Sequence, residues 1–199
     1  MCSKSAREEV SAVSNITKKA LADSLLRLLA GRSLDKITIG DIVEDCGVNR
    51  QTFYYHFHDV YALMEWIYDE EFAKYADSSD ISDNWVVAFQ ELFAYMRENS
   101  SVVLNVYHSS GWKYLESFIR RRMRPAVDRL VRTMSEGMDV DEDDMLFVTE
   151  IYISAVKGIA DTWLKNGMEF DRDGDADRLV RFVDGSLRDS LAKFDRKNR

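Results

Sequence analysis

Between Thr38 and Leu63 two short helical phrases are separated by a single three-residue break, Gly47-Val48-Asn49. This arrangement limits the possible folds more than any other feature of the chain. Thr38 can cap a helix start while Asp41, three residues on, reaches back as in a capping box. Ile39, Ile42 and Val43 then recur at i, i+3 and i+4, giving one apolar face. Gly47 follows Cys46 and ends that helix, because glycine takes the left-handed conformation after a helix end without strain. Asn49 is a good cap for the next helix, in which Phe53 and Phe57, four apart, point inward.

Helix, tight glycine turn and helix is a geometry in which the second helix can enter the major groove of double-stranded DNA. The outer face has fitting chemistry. Gln51 and Thr52 can read base edges, while Arg50, Tyr54, Tyr55 and His56 can grip phosphates. With Thr38 at the start of the first helix, these six form the candidate DNA-binding set.

The phrase Thr38–Ile42, Gly47-Val48-Asn49, Thr52-Phe53-Tyr54-Tyr55-His56-Phe57 and Leu63 resembles the DNA-binding signature of the TetR/AcrR family of bacterial transcriptional regulators. The matching region runs from about Ile16 to Met64. Its run from Val43 to Phe57 most resembles the branch associated with dihydroxyacetone-kinase operons. The resemblance implies an all-α fold: a three-helix head, a packed connecting helix, and a larger helical bundle that dimerises and responds to a ligand or partner. It also implies a palindromic operator. One position departs from the pattern, since Val60 stands where the family usually has a lysine. A phosphate contact is lost there, leaving Arg50, His56, His58 and Lys36 to carry affinity.

Composition agrees with a helical, folded chain. The 199 residues are 46% hydrophobic, with one proline and no strand-like alternation, which is enough to bury a sizeable core. The net charge of −8 argues at first against nucleic acid, but its distribution is uneven. Residues 1–58 carry eight Lys and Arg against seven Asp and Glu, so the excess acid lies in the remainder. Such a chain can touch DNA at one end only. Cys2 and Cys46 read as free thiols, and with no apolar leader or membrane-length run they point to a cytoplasmic protein.

The expected division is a head of residues 1–58 and a body of residues 59–199. Residues Met1 to Ser14 read as a mobile arm or a frayed helix start, followed by a supporting helix from about Ile16 to Ala30 that Gly31 ends. Asp59 caps a connecting helix that ends in the Asp77–Asp80 loop. In the body, helices are expected from Ser82 or Asp83 to Asn99, from Ser100 or Ser101 to Gly111, and from Trp112 to Met134, where Pro125 must kink the helix or start a second segment. Two more run from about Asp141 to Asn166 and from about Asp175 to Lys193. Phe89, Phe93, Met96, Tyr107, Trp112, Tyr152 and Trp163 are candidates to line a pocket for an apolar or planar ligand, although spacing alone favours ordinary core. By the family resemblance the last two helices pair across a two-fold axis, with Tyr152, Ala155, Ile159, Phe182, Ser186 and Leu187 at the dimer interface.

Several constellations carry no chemistry. Acids from Asp139 to Glu150 mimic a calcium loop but place Asp144 where a glycine must turn, so helix capping explains them better. Asp171–Asp177 reads as a capping loop. The run Arg120, Arg121, Arg122 and Arg124 reads as a solvated face paired with body acids. No metal set, cofactor motif, nucleophile–base pair or phosphate loop is present, so the chain reads as a regulator and not an enzyme. The alternative reading is an adaptor whose main interaction is with another protein, DNA contact depending on it.

Overall fold

The computed structural model describes residues 2–76, 81–169 and 175–198; for residues 2–13, 72, 74–76, 81–89, 175–177, 179, 180, 183, 184 and 198 the description is of backbone alone. The fold is all-α. The helices are α1 (Cys2–Leu29), α2 (Ile39–Cys46), α3 (Arg50–His56), α4 (Val60–Ala76), α5 (Ile81–Glu98), α6 (Ser100–Tyr107), α7 (Trp112–Met134), α8 (Glu142–Lys165) and α9 (Asp175–Ala192). Short 3-10 turns at Leu34–Lys36 and Arg196–Asn198 complete them. The expected Asp77–Asp80 loop and the stretch 171–174 lie outside the described residues.

Three expectations about the elements change. Helix α1 begins at Cys2, well before Ile16; Ala6, Arg7, Glu8, Glu9 and Ala12 are good helix formers with no proline or glycine among them to stop a helix. Its end does not use a left-handed glycine. Gly31 is not among the positive-φ residues, and the amides of Ala30, Gly31 and Arg32 close on the carbonyls of Leu26 and Leu28. Helix α7 continues as one element through the exposed Pro125, so of the two expected outcomes there the start of a second segment is ruled out.

The chain forms two compact units, residues 1–71 with 101–116 and residues 72–100 with 117–199. The expected boundary after residue 58 therefore falls inside the first unit. That unit packs α1 against α2 and α3 around Leu21, Leu25, Leu29, Ile42, Phe53 and Leu63, all fully buried. Val106 and Leu115, from α6 and α7, join the same core. The second unit has a smaller core in which Leu130 and Val131 of α7, Val148 and Tyr152 of α8, and Leu187 and Leu191 of α9 meet. Carboxylate–arginine ties stitch its surface: Arg120 and Arg124 of α7 both hold Glu150 of α8, and Arg132 holds Glu142. Two of the four arginines in the run, Arg120 and Arg124, thus pair with an acid of the body.

Candidate nucleic-acid interface

The reading pair is built by caps at both helix starts. Thr38 Oγ1 accepts from the Asp41 amide at 3.2 Å, and the Asp41 carboxylate accepts from the Thr38 amide at 2.8 Å and from its hydroxyl at 2.7 Å. These bonds hold the Asp41 carboxyl below the usual carboxylate range, the Thr38 hydroxyl being the largest cause. Helix α2 then stops at Gly47, which takes φ 73° and closes its amide on Glu44. Two residues later Asn49 caps α3, its Oδ1 accepting from the Thr52 amide at 2.8 Å.

Inward, Phe53 and Phe57 are buried with ring centroids 6.0 Å apart, and Phe57 continues to Trp66 of α4 at 6.1 Å. This fixes which side of α3 faces out. At 100° per residue, the direction opposite the two phenylalanines falls on Tyr55, with Gln51 one turn before it. Gln51 is exposed, and Tyr55 is 78% exposed, more than any other large apolar or aromatic side chain described. Tyr54 flanks this row, half-exposed, on the side of Arg50.

The structure reassigns the details of the predicted set. The Thr52 hydroxyl donates to Asn49 at 3.0 Å, so its hydrogen is engaged in the cap and it offers only acceptor capacity outward. Tyr55 takes the most exposed place on the outward row. Arg50 folds back over α2; a Cβ added to Gly40 would lie 2.9 Å from its Nη2. Glycine at position 40 makes that position available, and it sets the guanidinium beside the exposed amides of the α2 start, chemistry suited to a phosphate. Burial, and then the charge of Lys18, hold the His56 imidazole below the usual histidine range. At neutral pH His56 is therefore an uncharged hydrogen-bonding group, placed edge-on to Tyr55 at 4.9 Å. Gly40 and Lys18 were not legible in the sequence, being brought in from α2 and α1 by tertiary packing.

The candidate pocket residues are divided between the two units. Tyr107 and Trp112 belong to the first unit and pack edge-on at 5.1 Å. In the second unit Phe93 lies against Trp163 at 4.8 Å, with Trp163 only 1% exposed. Met96 is half-buried on α5, and Phe89 falls where only backbone is described. Tyr152 turns instead toward α9, its hydroxyl 2.8 Å from Ser186 and 3.3 Å from Ser190.

The expected dimer residues also divide. Tyr152 and Leu187 are buried inside the subunit and Ser186 bonds to Tyr152, so these three serve the α8–α9 contact within one chain. Ile159 is half-buried. Ala155 and Phe182 are exposed, and Leu146, Phe147 and Ile151 are exposed beside them on α8. Sequence periodicity marked a stripe on α8 but could not say which of two apolar flanks the partner helix α9 would take.

Comparisons with known proteins converge on this reading. Residues 21–65 match the profile of bacterial regulatory proteins of the tetR family, and residues 83–185 match that of a transcriptional regulator C-terminal region of TetR type. A relative from Lactococcus lactis subsp. lactis, the HTH-type dhaKLM operon transcriptional activator DhaS, is 24% identical over 130 residues, covering 65% of this chain and 68% of that protein. Among solved structures, the dihydroxyacetone kinase operon activator DhaS shares the fold with a TM-score of 0.68 at 20% identity, over 90% of this chain and 98% of that one. A TetR transcriptional regulator from Streptococcus agalactiae 2603V shares it with a TM-score of 0.62 at 17% identity, over 96% and 99%. With a capped helix-turn-helix pair at one end and profile matches spanning both parts, the chain belongs to the TetR family of bacterial transcriptional regulators.

Proposed function

We propose that this regulator reads a palindromic DNA operator as a homodimer, with α3 of each copy in successive major grooves about 34–36 Å apart. The outward row of α3 supports this reading most directly: Gln51 and Tyr55 face away from the Phe53–Phe57 core, flanked by Tyr54 and Arg50. Gln51 reads a base edge, whereas Tyr54, Arg50 and the Thr38 end of α2 hold the backbone. His56, held below the usual histidine range by burial, contributes a hydrogen bond.

The second copy is held by the exposed apolar face of α8 and α9. Leu146, Phe147, Ile151 and Phe182 are large side chains left in water, and Ala155, Gly158 and Gly185 on the same two helices are exposed small residues that allow close helix approach. Because two similar proteins are named as activators of dihydroxyacetone kinase operons, the proposed output is activation of a related operon. Val60 opens α4 without a basic side chain, which favours an operator complex strengthened by a ligand or a protein partner.

Selection of genomic fragments by the purified protein, beside its Tyr54→Ala variant, tests the reading. A shared palindrome that the variant loses supports it. A folded dimer that enriches nothing rejects autonomous DNA reading, and tighter binding on adding a co-purified protein would support the adaptor.

A further inference from the structure

The DNA-binding unit does not end with α4. Residues 101–116 belong to it although residues 72–100 do not, and their bonds to it are specific. Asn105 Nδ2 donates to the Leu29 carbonyl, the last of α1, at 2.8 Å. The Ser110 amide donates to the Asp35 carboxylate at 2.9 and 3.1 Å, and the Ser110 hydroxyl donates to it at 2.8 Å. Asp35 lies in the short turn that leads directly into Thr38, the cap of α2. At the chain's exit from the reading pair, Tyr61 in the first turn of α4 lies against Gly111, where an added methyl would overlap its ring, and Tyr114 packs on the same ring at 5.7 Å.

The corner between α6 and α7 therefore grips the helix-turn-helix at both its entry and its exit. We infer that Asp35, Asn105 and Gly111 are positioning residues for DNA recognition: they hold the α6–α7 corner as a buttress that fixes the angle at which α3 is presented, without touching DNA themselves. The physical reason lies in how little α2 and α3 hold of their own. They are eight and seven residues long, too short to keep a fixed orientation without external packing. Base contacts need α3 placed to within about 0.5 Å, whereas phosphate attraction tolerates misplacement. Loosening the corner therefore lowers specificity before it lowers charge-driven binding.

The inference rests on the DNA-reading function proposed above, and its test separates the two. The probe is the duplex that the wild-type chain selects from genomic DNA, set against a random-sequence duplex of equal length, with thermal melting followed for every variant. Asp35→Ala and Gly111→Ala are each expected to lower the ratio of selected to random binding by about tenfold, the scale of coupling between contacting residues. Random-sequence affinity and the salt slope should hardly change. Because Gly111→Ala collides with Tyr61, the double variant Gly111→Ala with Tyr61→Ala should recover part of the ratio. Failure of the wild type to select any duplex would reject the DNA reading itself. Selection by the wild type with an unchanged ratio in Asp35→Ala and Gly111→Ala would overturn the buttress, as would parallel loss of both affinities together with melting temperature.

Discussion

The two units differ in how completely they bury their apolar side chains. In the first, seven large residues from Leu21 to Leu115 reach zero exposure, and the large side chains left outside are Ile16 and the tyrosines of α3 and α7, whose hydroxyls favour a wet, polar contact. In the second, Leu146, Phe147, Ile151 and Phe182 stay in water although the same helices α8 and α9 bury Tyr152, Leu187 and Leu191. On the proposed reading, the exposed groups of the first unit, aromatic hydroxyls and an amide, suit a hydrated groove, whereas the bare apolar side chains of the second suit another copy of the chain.

The largest test of that contrast exchanges phenylalanines. Phe53→Ala removes a fully buried ring and should cost about 3–5 kcal/mol by urea unfolding. Phe182→Ala, at a ring 67% exposed, should leave unfolding of the dilute monomer nearly unchanged and appear only as weaker self-association. Equal losses of monomer stability would erase the distinction. Next in size, Ile151→Glu places charge in the exposed stripe and should yield a monomer by sedimentation, with melting that no longer depends on protein concentration. A dimer that survives this change would move the interface elsewhere.

A smaller effect sharpens the first unit alone. Asn49→Ala removes the acceptor for the Thr52 amide and should cost about 1 kcal/mol, with Thr38→Ala similar through the lost capping box. Hydrogen exchange at the starts of α2 and α3 would report it. The smallest effect is expected from pH. Arg124 and Arg120 hold Glu150, the Asp139 and Lys197 amides hold Asp195, and the Asp144 amide and Arg196 hold Asp141, all below their usual range. A carboxyl depressed in the folded state stabilises above its unfolded value and loses that contribution as pH falls through the folded one. Melting temperature should therefore be flat above about pH 5 and decline below about pH 4, and Glu150→Gln should make the decline shallower. An equally steep decline in that variant would show the tie to be idle.

Much of this was legible beforehand for local reasons. The capping box at Thr38, the stop at Gly47, the cap at Asn49 and the inward Phe53–Phe57 pair each depend on residues within four positions of one another, and each appears as read. The bounds of α7 and the cap of α8 by Asp141 followed for the same reason. Side-chain partners were less legible: the family resemblance placed Tyr152 and Leu187 at a dimer interface, and the fold buries both in the contact between α8 and α9 of one chain. Even within three positions a rotamer can decide a role: the Thr52 hydroxyl bonds to Asn49, which spacing alone does not show.

The sequence by itself determined the α2–turn–α3 pair, its caps, and the face of α3 turned outward, since caps, glycine conformation and a 3.6-residue period are properties of short stretches. Only the tertiary structure decided that Arg50 lies over Gly40, that Lys18 stands near His56, and that residues 105–111 return to brace the reading pair. Those depend on side chains that are distant in sequence and adjacent only once the apolar cores have closed.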